Sequence, residues 1–162
     1  MIRRVTLALA ALTLTLGLGG LFAVSASAST GTPCYQSSCD GLDPTLSYNR
    51  YTGYECNTGA YTVPGGTFND IYSGTLEMRW GPDCEVNWGR YTVGTRYSGS
   101  EFYLSITGSD GTTNQYDFYG YTGITYYSNE VFSPGPATVC LGFVNNGSGI
   151  PPTPFCWTQP SS

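Results

Sequence analysis

The residues of this sequence that could perform catalysis are carboxylates. The chain has no histidine and no lysine, which excludes Ser-His-Asp and Cys-His hydrolases, histidine-bound zinc or copper, and Ser-Lys or Schiff-base chemistry. Paired carboxylates, as in glycosidases, are still possible. The candidates are Glu77, Glu85, Glu101 and Glu130. Because the chain is short for a cleft plus a core, we expect no catalytic residue, cofactor or metal, and keep a small carboxylate glycosidase as a distant alternative.

Two further acids, Asp40 and Asp43, could offer oxygen ligands to calcium. Their spacing differs from that of an EF-hand loop, in which ligands recur at every second position. We favour a turn, in which aspartate side chains bond nearby backbone groups and Pro44 fixes φ. Asp43 and Pro44 are therefore given structural roles.

Tyrosines are candidates for binding rather than catalysis. Alternation along strands must direct some of them outward, where a ring can stack on a sugar or anchor a protein partner. The predicted ligand-binding residues are Tyr116, Tyr119, Tyr121, Tyr126 and Tyr127. The ordinary alternative is that tyrosine simply fills strands and shields their edges.

The stretch from Leu76 to Trp88 holds four charges, two tryptophans and a cysteine, and we interpret it as a β-hairpin connected by Gly81-Pro82-Asp83. One buried face would then pair Trp80 with Cys84, Met78 with Val86 and Leu76 with Trp88. The other would pair Arg79 with Glu85 and Glu77 with Asn87. Apolar burial would set this register, because cross-strand charge pairs contribute only about 0.2–1 kcal/mol. The residues given structural roles are Glu77, Arg79, Trp80, Pro82 and Trp88.

The elements that must position these residues are strands. Short runs rich in Tyr, Phe, Val, Ile and Thr alternate with Gly, Asn, Asp and Ser, and Asp110-Gly111 suits a hairpin turn. The predicted strands are 74–80, 84–93, 101–107, 114–120, 124–131 and 137–144. The pattern predicts an all-β fold, a small antiparallel barrel or sandwich of about six to eight strands.

The first 28 residues have the pattern of a signal peptide. Two arginines precede an apolar run, and Ala26-Ser27-Ala28 is a small-x-small cleavage site. We expect a secreted domain, residues 29–162, with a Cys-rich loop region (29–72), a strand core (73–144) and a pinned tail (145–162). Its eleven acids against four arginines give a formal charge of −7, which disfavours nucleic acids and anionic membranes as partners.

Six cysteines in an exported chain predict three disulfides. They are Cys34, Cys39, Cys56, Cys84, Cys140 and Cys156. Fifteen pairings are possible. We favour Cys140 with Cys156, which ties the last strand to the tail, and pair Cys34 with Cys84 and Cys39 with Cys56.

The motifs resemble a known family. Cys34-x4-Cys39-Asp40-Gly41-Leu42-Asp43-Pro44 and Leu76-Glu77-x-Arg79-Trp80-x-Pro82-x-Cys84, followed by Asn87-Trp88-Gly89-Arg90, are similar to the family catalogued as domain of unknown function 2690. The resemblance implies a small exported actinobacterial protein and brings no enzymatic activity with it. The 45–55 segment, Gly123 and the 145–155 tail depart from the family pattern.

The sequence therefore predicts a secreted, non-catalytic binding or structural module. Two kinds of partner stay open. One is a polysaccharide held by exposed tyrosine and tryptophan rings. The other is an extracellular protein, with this chain acting as an inhibitor or as a subunit of an assembly, because the cross-linked 34–56 loop would be pre-organised for binding.

Overall fold

The computed structural model describes residues 31–144 and 153–161; the predicted signal peptide and residues 145–152 of the predicted tail lie outside the described residues. Within this part of the chain there are eleven strands and one 3-10 helix. In chain order they are β1 (Thr32–Cys34), the 3-10 helix (Gln36–Cys39), β2 (Ser47–Asn49), β3 (Tyr61–Ile71), β4 (Gly74–Gly81), β5 (Val86–Thr92), β6 (Glu101–Thr107), β7 (Thr113–Tyr119), β8 (Thr125–Tyr127), β9 (Val131–Phe132), β10 (Thr138–Phe143) and β11 (Phe155–Thr158).

The longer strands form two antiparallel sheets that pack face to face. The first sheet has the order β3-β4-β5-β8, with β9 also paired to β5, and the second has the order β11-β10-β6-β7. Strands β1 and β2 form a separate parallel pair. The predicted all-β antiparallel class is confirmed, in its sandwich form; no closed barrel is found among residues 31–144 and 153–161.

The main core lies between the two sheets and follows the two-residue period of their strands. Strands β4 and β5 contribute Leu76, Met78 and Tyr91 from the first sheet. The second sheet supplies the residues Phe102, Leu104, Ile106, Phe118, Val139, Leu141 and Phe143. Each of these side chains is almost fully buried, and burying one aliphatic side chain contributes about 1.5–3 kcal/mol.

A second, smaller core covers the opposite face of the first sheet. It is formed by Val86 and Trp88 of β5 and by the buried cysteines of two disulfides. Residues 31–60, which we call the disulfide lobe, lie over this face, and Cys56 bonds Cys84 just before β5. Strand β5 is therefore buried on both faces, which explains its almost continuous burial.

The hairpin of β4 and β5 is confirmed, but its predicted register is wrong. Arg79 lies opposite Trp88, and Glu77 lies opposite Arg90. The turn runs from Pro82 to Glu85, and Glu85 has a positive φ of 58°, so the connection is longer than three residues. This odd shift moves Trp88 to the Arg79 face, because neighbouring residues on a strand point to opposite faces. The disulfide lobe buries Trp88 there.

The disulfide predictions are partly confirmed. Cys140 and Cys156 are bonded and lie directly opposite each other on β10 and β11. The other two predicted pairs are wrong, since the bonds join Cys34 to Cys39 and Cys56 to Cys84. All four sulfurs lie within 4.8 Å of one another. The fold thus brings these four cysteines into one cluster, and their positions in the sequence do not say which of them bond. The 3-10 helix turns the chain so that Cys39 meets Cys34.

The regions predicted as loop and tail contain strands. The longest strand, β3, lies within the predicted loop region, and β11 lies within the predicted tail. Pro64 and two following glycines interrupt the pattern of β3, and its pairing with β4 shifts register between Thr62 and Thr67. Proline is tolerated because β3 is an edge strand. The predicted 124–131 strand divides into β8 and β9.

Candidate functional site

An open cleft of about 460 Å³ lies beside the end of β4, between the two sheets. We call it the end cleft. Its walls come from four places in the chain: the start of β3, the facing ends of β4 and β5, the 133–136 loop, and the residues after β11. Concave sites of about 300–1,000 Å³ at such junctions are typical of ligand binding.

Two aromatic rings form one wall of the end cleft. Tyr61 on β3 lies directly opposite Trp80 on β4, so both side chains point to the same face of the sheet. Tyr61 is 51% exposed, whereas Trp80 is half-buried and packs against the main core. Trp80 is thus held in place by packing, whereas about half of the surface of Tyr61 is open to solvent.

The polar side chains that residues 31–144 and 153–161 bring to the end cleft are neutral. Asn87 is buried, and its Nδ2 donates to the backbone oxygen of Arg79 at 3.2 Å, which fixes the amide. The Ser133 hydroxyl donates to the oxygen of Gly135 at 2.7 Å. Gln159 and four prolines complete the wall: Pro64, Pro134, Pro136 and Pro160. No charged side chain of the described ranges lines this cleft.

The end cleft suits a neutral ligand that has both apolar faces and hydroxyl or amide edges. Aromatic rings bury large area, and hydroxyl and amide groups then fix orientation. Of these residues, only Trp80 is predicted from the sequence, and only as a structural residue. The residues that were not predicted are Tyr61, Asn87, Ser133 and Gln159. These residues come together through the pairing of β3 with β4 and the return of the chain after β11. The sequence carries no local signal for either.

The five predicted tyrosines do not share one surface. Tyr119 is 57% exposed and lies at the end of β7, and Tyr121 is exposed in the loop that follows. Tyr126 is half-buried and stacks on Phe118 at 4.1 Å between ring centroids. Tyr116 also stacks on Phe118, with 5.9 Å between ring centroids.

Tyr127 lies on the other face of the first sheet from Tyr126, because adjacent residues of β8 alternate. It is opposite Arg90, on the face that carries the charged residues of the hairpin. Tyr116, Tyr126 and Tyr127 also line a shallow depression with Asp43. The ligand-binding role of the five tyrosines stays a prediction.

The hairpin charges form a network on the outer face of the first sheet. Arg90 donates to both carboxylate oxygens of Glu77, from Nε at 2.6 Å and from Nη2 at 2.7 Å. Arg79 donates to the Thr62 hydroxyl and to the Ala60 oxygen, each at 2.6 Å. The predicted Arg79–Glu85 pair is wrong, since Glu85 instead accepts from Gln36 at 2.7 Å.

The four candidate glutamates lie in different surroundings. Glu77 is paired with Arg90, Glu85 with Gln36, and Glu101 lies on β6 of the second sheet. Glu130 has no exposed surface, and burial, followed by the charges of Asp43 and Asp40, raises its pKa to about 8 although a hydrogen bond from Ser47 opposes the shift.

Glu130 joins the disulfide lobe to the sheets. The Ser47 hydroxyl donates to its Oε2 at 2.9 Å, its backbone N–H donates to the Leu42 oxygen at 2.7 Å, and its own backbone oxygen accepts from Gly41 at 3.0 Å. Its Oε1 is buried without a hydrogen-bond partner. This carboxyl therefore keeps its proton to a higher pH than an ordinary glutamate does, and its hydrogen bonds hold the lobe against the sheets.

Asp40 and Asp43 accept hydrogen bonds near the same junction between the disulfide lobe and the sheets. Asp43 Oδ1 accepts from the Thr45 N–H at 2.8 Å and from its hydroxyl at 2.7 Å, which closes the predicted turn around Pro44. Asp40 Oδ1 accepts from the Phe132 N–H at 2.6 Å. Asp43 therefore has the local role that the turn interpretation predicts, whereas Asp40 accepts from a residue 92 positions away and ties the disulfide lobe to β9.

Comparison with known proteins leaves the family open. The chain matches no protein-family model, no curated protein and no solved structure. The resemblance to domain of unknown function 2690 thus stays a prediction. Within residues 31–144 and 153–161, none of the helical segments has the length and apolar character needed to cross a membrane.

Proposed function

We propose that this protein is a secreted, non-catalytic binding module whose end cleft holds a segment of a neutral polysaccharide. The observation that carries the proposal is the end cleft itself, where no charged side chain of the described residues is found and Tyr61 and Trp80 lie side by side on the wall. Sugar rings have an apolar face that stacks on aromatic side chains and hydroxyl edges that bond amides and hydroxyls. Secretion is supported by three disulfides, which form and persist in oxidising compartments.

The test is depletion of the oxidised protein from solution by insoluble polymers. The panel consists of peptidoglycan, chitin, cellulose and xylan, each with competition by its soluble oligosaccharide. We expect one polymer to deplete the protein and its oligosaccharide to reverse the effect. Depletion by none of the polymers would refute the carbohydrate proposal and favour a protein partner.

Two tyrosines of similar exposure make a matched pair of variants. Tyr61 is 51% exposed inside the end cleft, and Tyr119 is 57% exposed on the second sheet. We expect Tyr61→Ala to weaken binding about 30-fold or more, because an aromatic hot-spot residue contributes about 2 kcal/mol or more, and Tyr119→Ala to bind normally. If Tyr119→Ala weakens binding and Tyr61→Ala does not, the binding site lies among the predicted tyrosines and not in the end cleft.

A further inference from the structure

We propose that a second pocket, formed by Arg79 and Arg90 on the outer face of the first sheet, binds the carboxylate of a sugar acid. This arginine pocket has a volume of about 180 Å³. It lies at the seam between the disulfide lobe and the first sheet, on the opposite face from the end cleft. The proposal does not depend on what the end cleft binds.

The first observation is an excess of positive charge. Both ion pairs found among the described residues use the same carboxylate, that of Glu77. Two guanidinium groups therefore share one negative charge, and one positive charge is left over. The pKa of Arg79 is lowered by burial and then by the nearby charge of Arg90, which is the repulsion that a bound anion would relieve.

The second observation is a set of unused donors. Each guanidinium carries five N–H bonds. Arg79 spends one on Thr62 and one on Ala60, and Arg90 spends two on Glu77. Three N–H bonds on each arginine are thus left without an acceptor among residues 31–144 and 153–161. Arg79 Nε and Arg90 Nη1 carry three of these donors, and a ligand that enters the pocket from solvent can reach them, because neither nitrogen is among the buried atoms without a partner.

The third observation is Trp88, which lines the same pocket. Its indole is 2% exposed, and its Nε1 has no hydrogen-bond acceptor. A buried donor without a partner is uncommon and costs free energy. A carboxylate held by the two arginines would bring an acceptor to this side of the sheet.

The size and shape of the arginine pocket select the ligand. One excess charge matches a monoanion, and a planar guanidinium matches a planar carboxylate through paired hydrogen bonds. Tyr127 lies at the rim with a partly exposed ring, which can stack on a sugar. Asn57 and Thr45, also in the lining, can bond sugar hydroxyls.

The experiment is a titration followed by NMR at the Trp88 indole N–H, at constant ionic strength in chloride. Its signal is assigned with Trp80→Phe and Trp157→Phe, which remove the other two indoles. The probes are glucuronate, its uncharged counterpart glucose, and acetate. We expect a saturable shift with glucuronate, no shift with glucose, and weaker binding of acetate.

Arg90→Gln should weaken glucuronate binding about tenfold or more, since it removes a charge-assisted donor pair. Arg96→Gln is the matched control, because Arg96 lies over Tyr97, away from the pocket, and it should bind as the parent does. Equal responses to glucose and glucuronate, or binding unchanged in Arg90→Gln, would overturn the proposal. Acetate binding as tightly as glucuronate would overturn its sugar part. The titrations of the wild-type protein with glucose and glucuronate test the proposal even if Arg90→Gln folds poorly.

Discussion

Glu130→Gln should stabilise this protein at neutral pH. The Glu130 carboxyl is fully buried, and one of its oxygens has no partner. Glutamine keeps the shape and still offers an oxygen to the Ser47 hydroxyl, which donates to Glu130 at 2.9 Å. Glutamine cannot ionise in either state, so folding at neutral pH no longer requires the protonation of a carboxylate that is charged in the unfolded chain.

The sign of the pH dependence follows from the raised pKa. The folded protein binds the Glu130 proton more tightly than the unfolded chain does, with a pKa of about 8 against an ordinary 4.5. The stabilising effect of this proton is full below about pH 4.5 and is lost as the pH rises through about 8. At 1.36 kcal/mol for each pH unit, about 3 kcal/mol is lost between pH 4.5 and 7.

Guanidinium unfolding followed by tryptophan fluorescence, with disulfides intact, measures this difference from pH 4.5 to 8.5. We expect the parent to lose stability steadily and Glu130→Gln to stay nearly level, so that the variant gains about 3 kcal/mol on the parent between pH 4.5 and pH 7. Glu55→Gln makes the same change at an exposed residue and should follow the parent. The reasoning would be refuted if the free energy of unfolding of the parent stayed constant between pH 5 and 8, or if the variant were less stable than the parent at every pH.

Two other changes test the packing and the tail. Replacing Cys140 and Cys156 by alanine should cost about 3 kcal/mol in guanidinium unfolding, because the bond closes a loop with a sequence separation of 16; a loss below about 1 kcal/mol would show that the tail is held without the cross-link. Tyr91→Phe should cost about 1 kcal/mol, since the buried hydroxyl donates to Ile71 O at 3.1 Å. The exposed Tyr54 provides the control, Tyr54→Phe, and an equal effect of both changes on the melting temperature would contradict this assignment.

The sequence was sufficient to predict a strand wherever the alternation of apolar residues agrees with burial in the fold. All six predicted strands correspond to observed strands, because their alternation places one row of side chains in the main core. The β3 strand escaped prediction because Pro64 and two glycines break its pattern, and only its pairing with β4 makes it a strand. The hairpin register failed because Trp88 is buried by the disulfide lobe, not by the main core.

The candidate site was less predictable than the fold for a related reason. Tyr61 and Trp80 are 19 positions apart, and Gln159 joins them only after the chain has crossed the second sheet. Periodicity can say that a ring faces outward, but it cannot say which other rings it meets. The arginine pocket was hidden in the same way, since the predicted register paired Arg79 with Glu85 and so left no excess charge.

Glu130 connects the pH dependence to the arginine pocket. Its backbone forms hydrogen bonds with Gly41 and Leu42, and its side chain accepts one from Ser47. Glu130 therefore fixes both ends of the lobe segment 43–46. That segment includes Thr45, which lines the arginine pocket. Ionisation of Glu130 would therefore loosen the wall of the pocket as well as the fold. Glucuronate affinity should fall between pH 6 and 8.5 in the parent and should stay constant in Glu130→Gln. A parallel fall in both proteins would show that Glu130 does not control the arginine pocket.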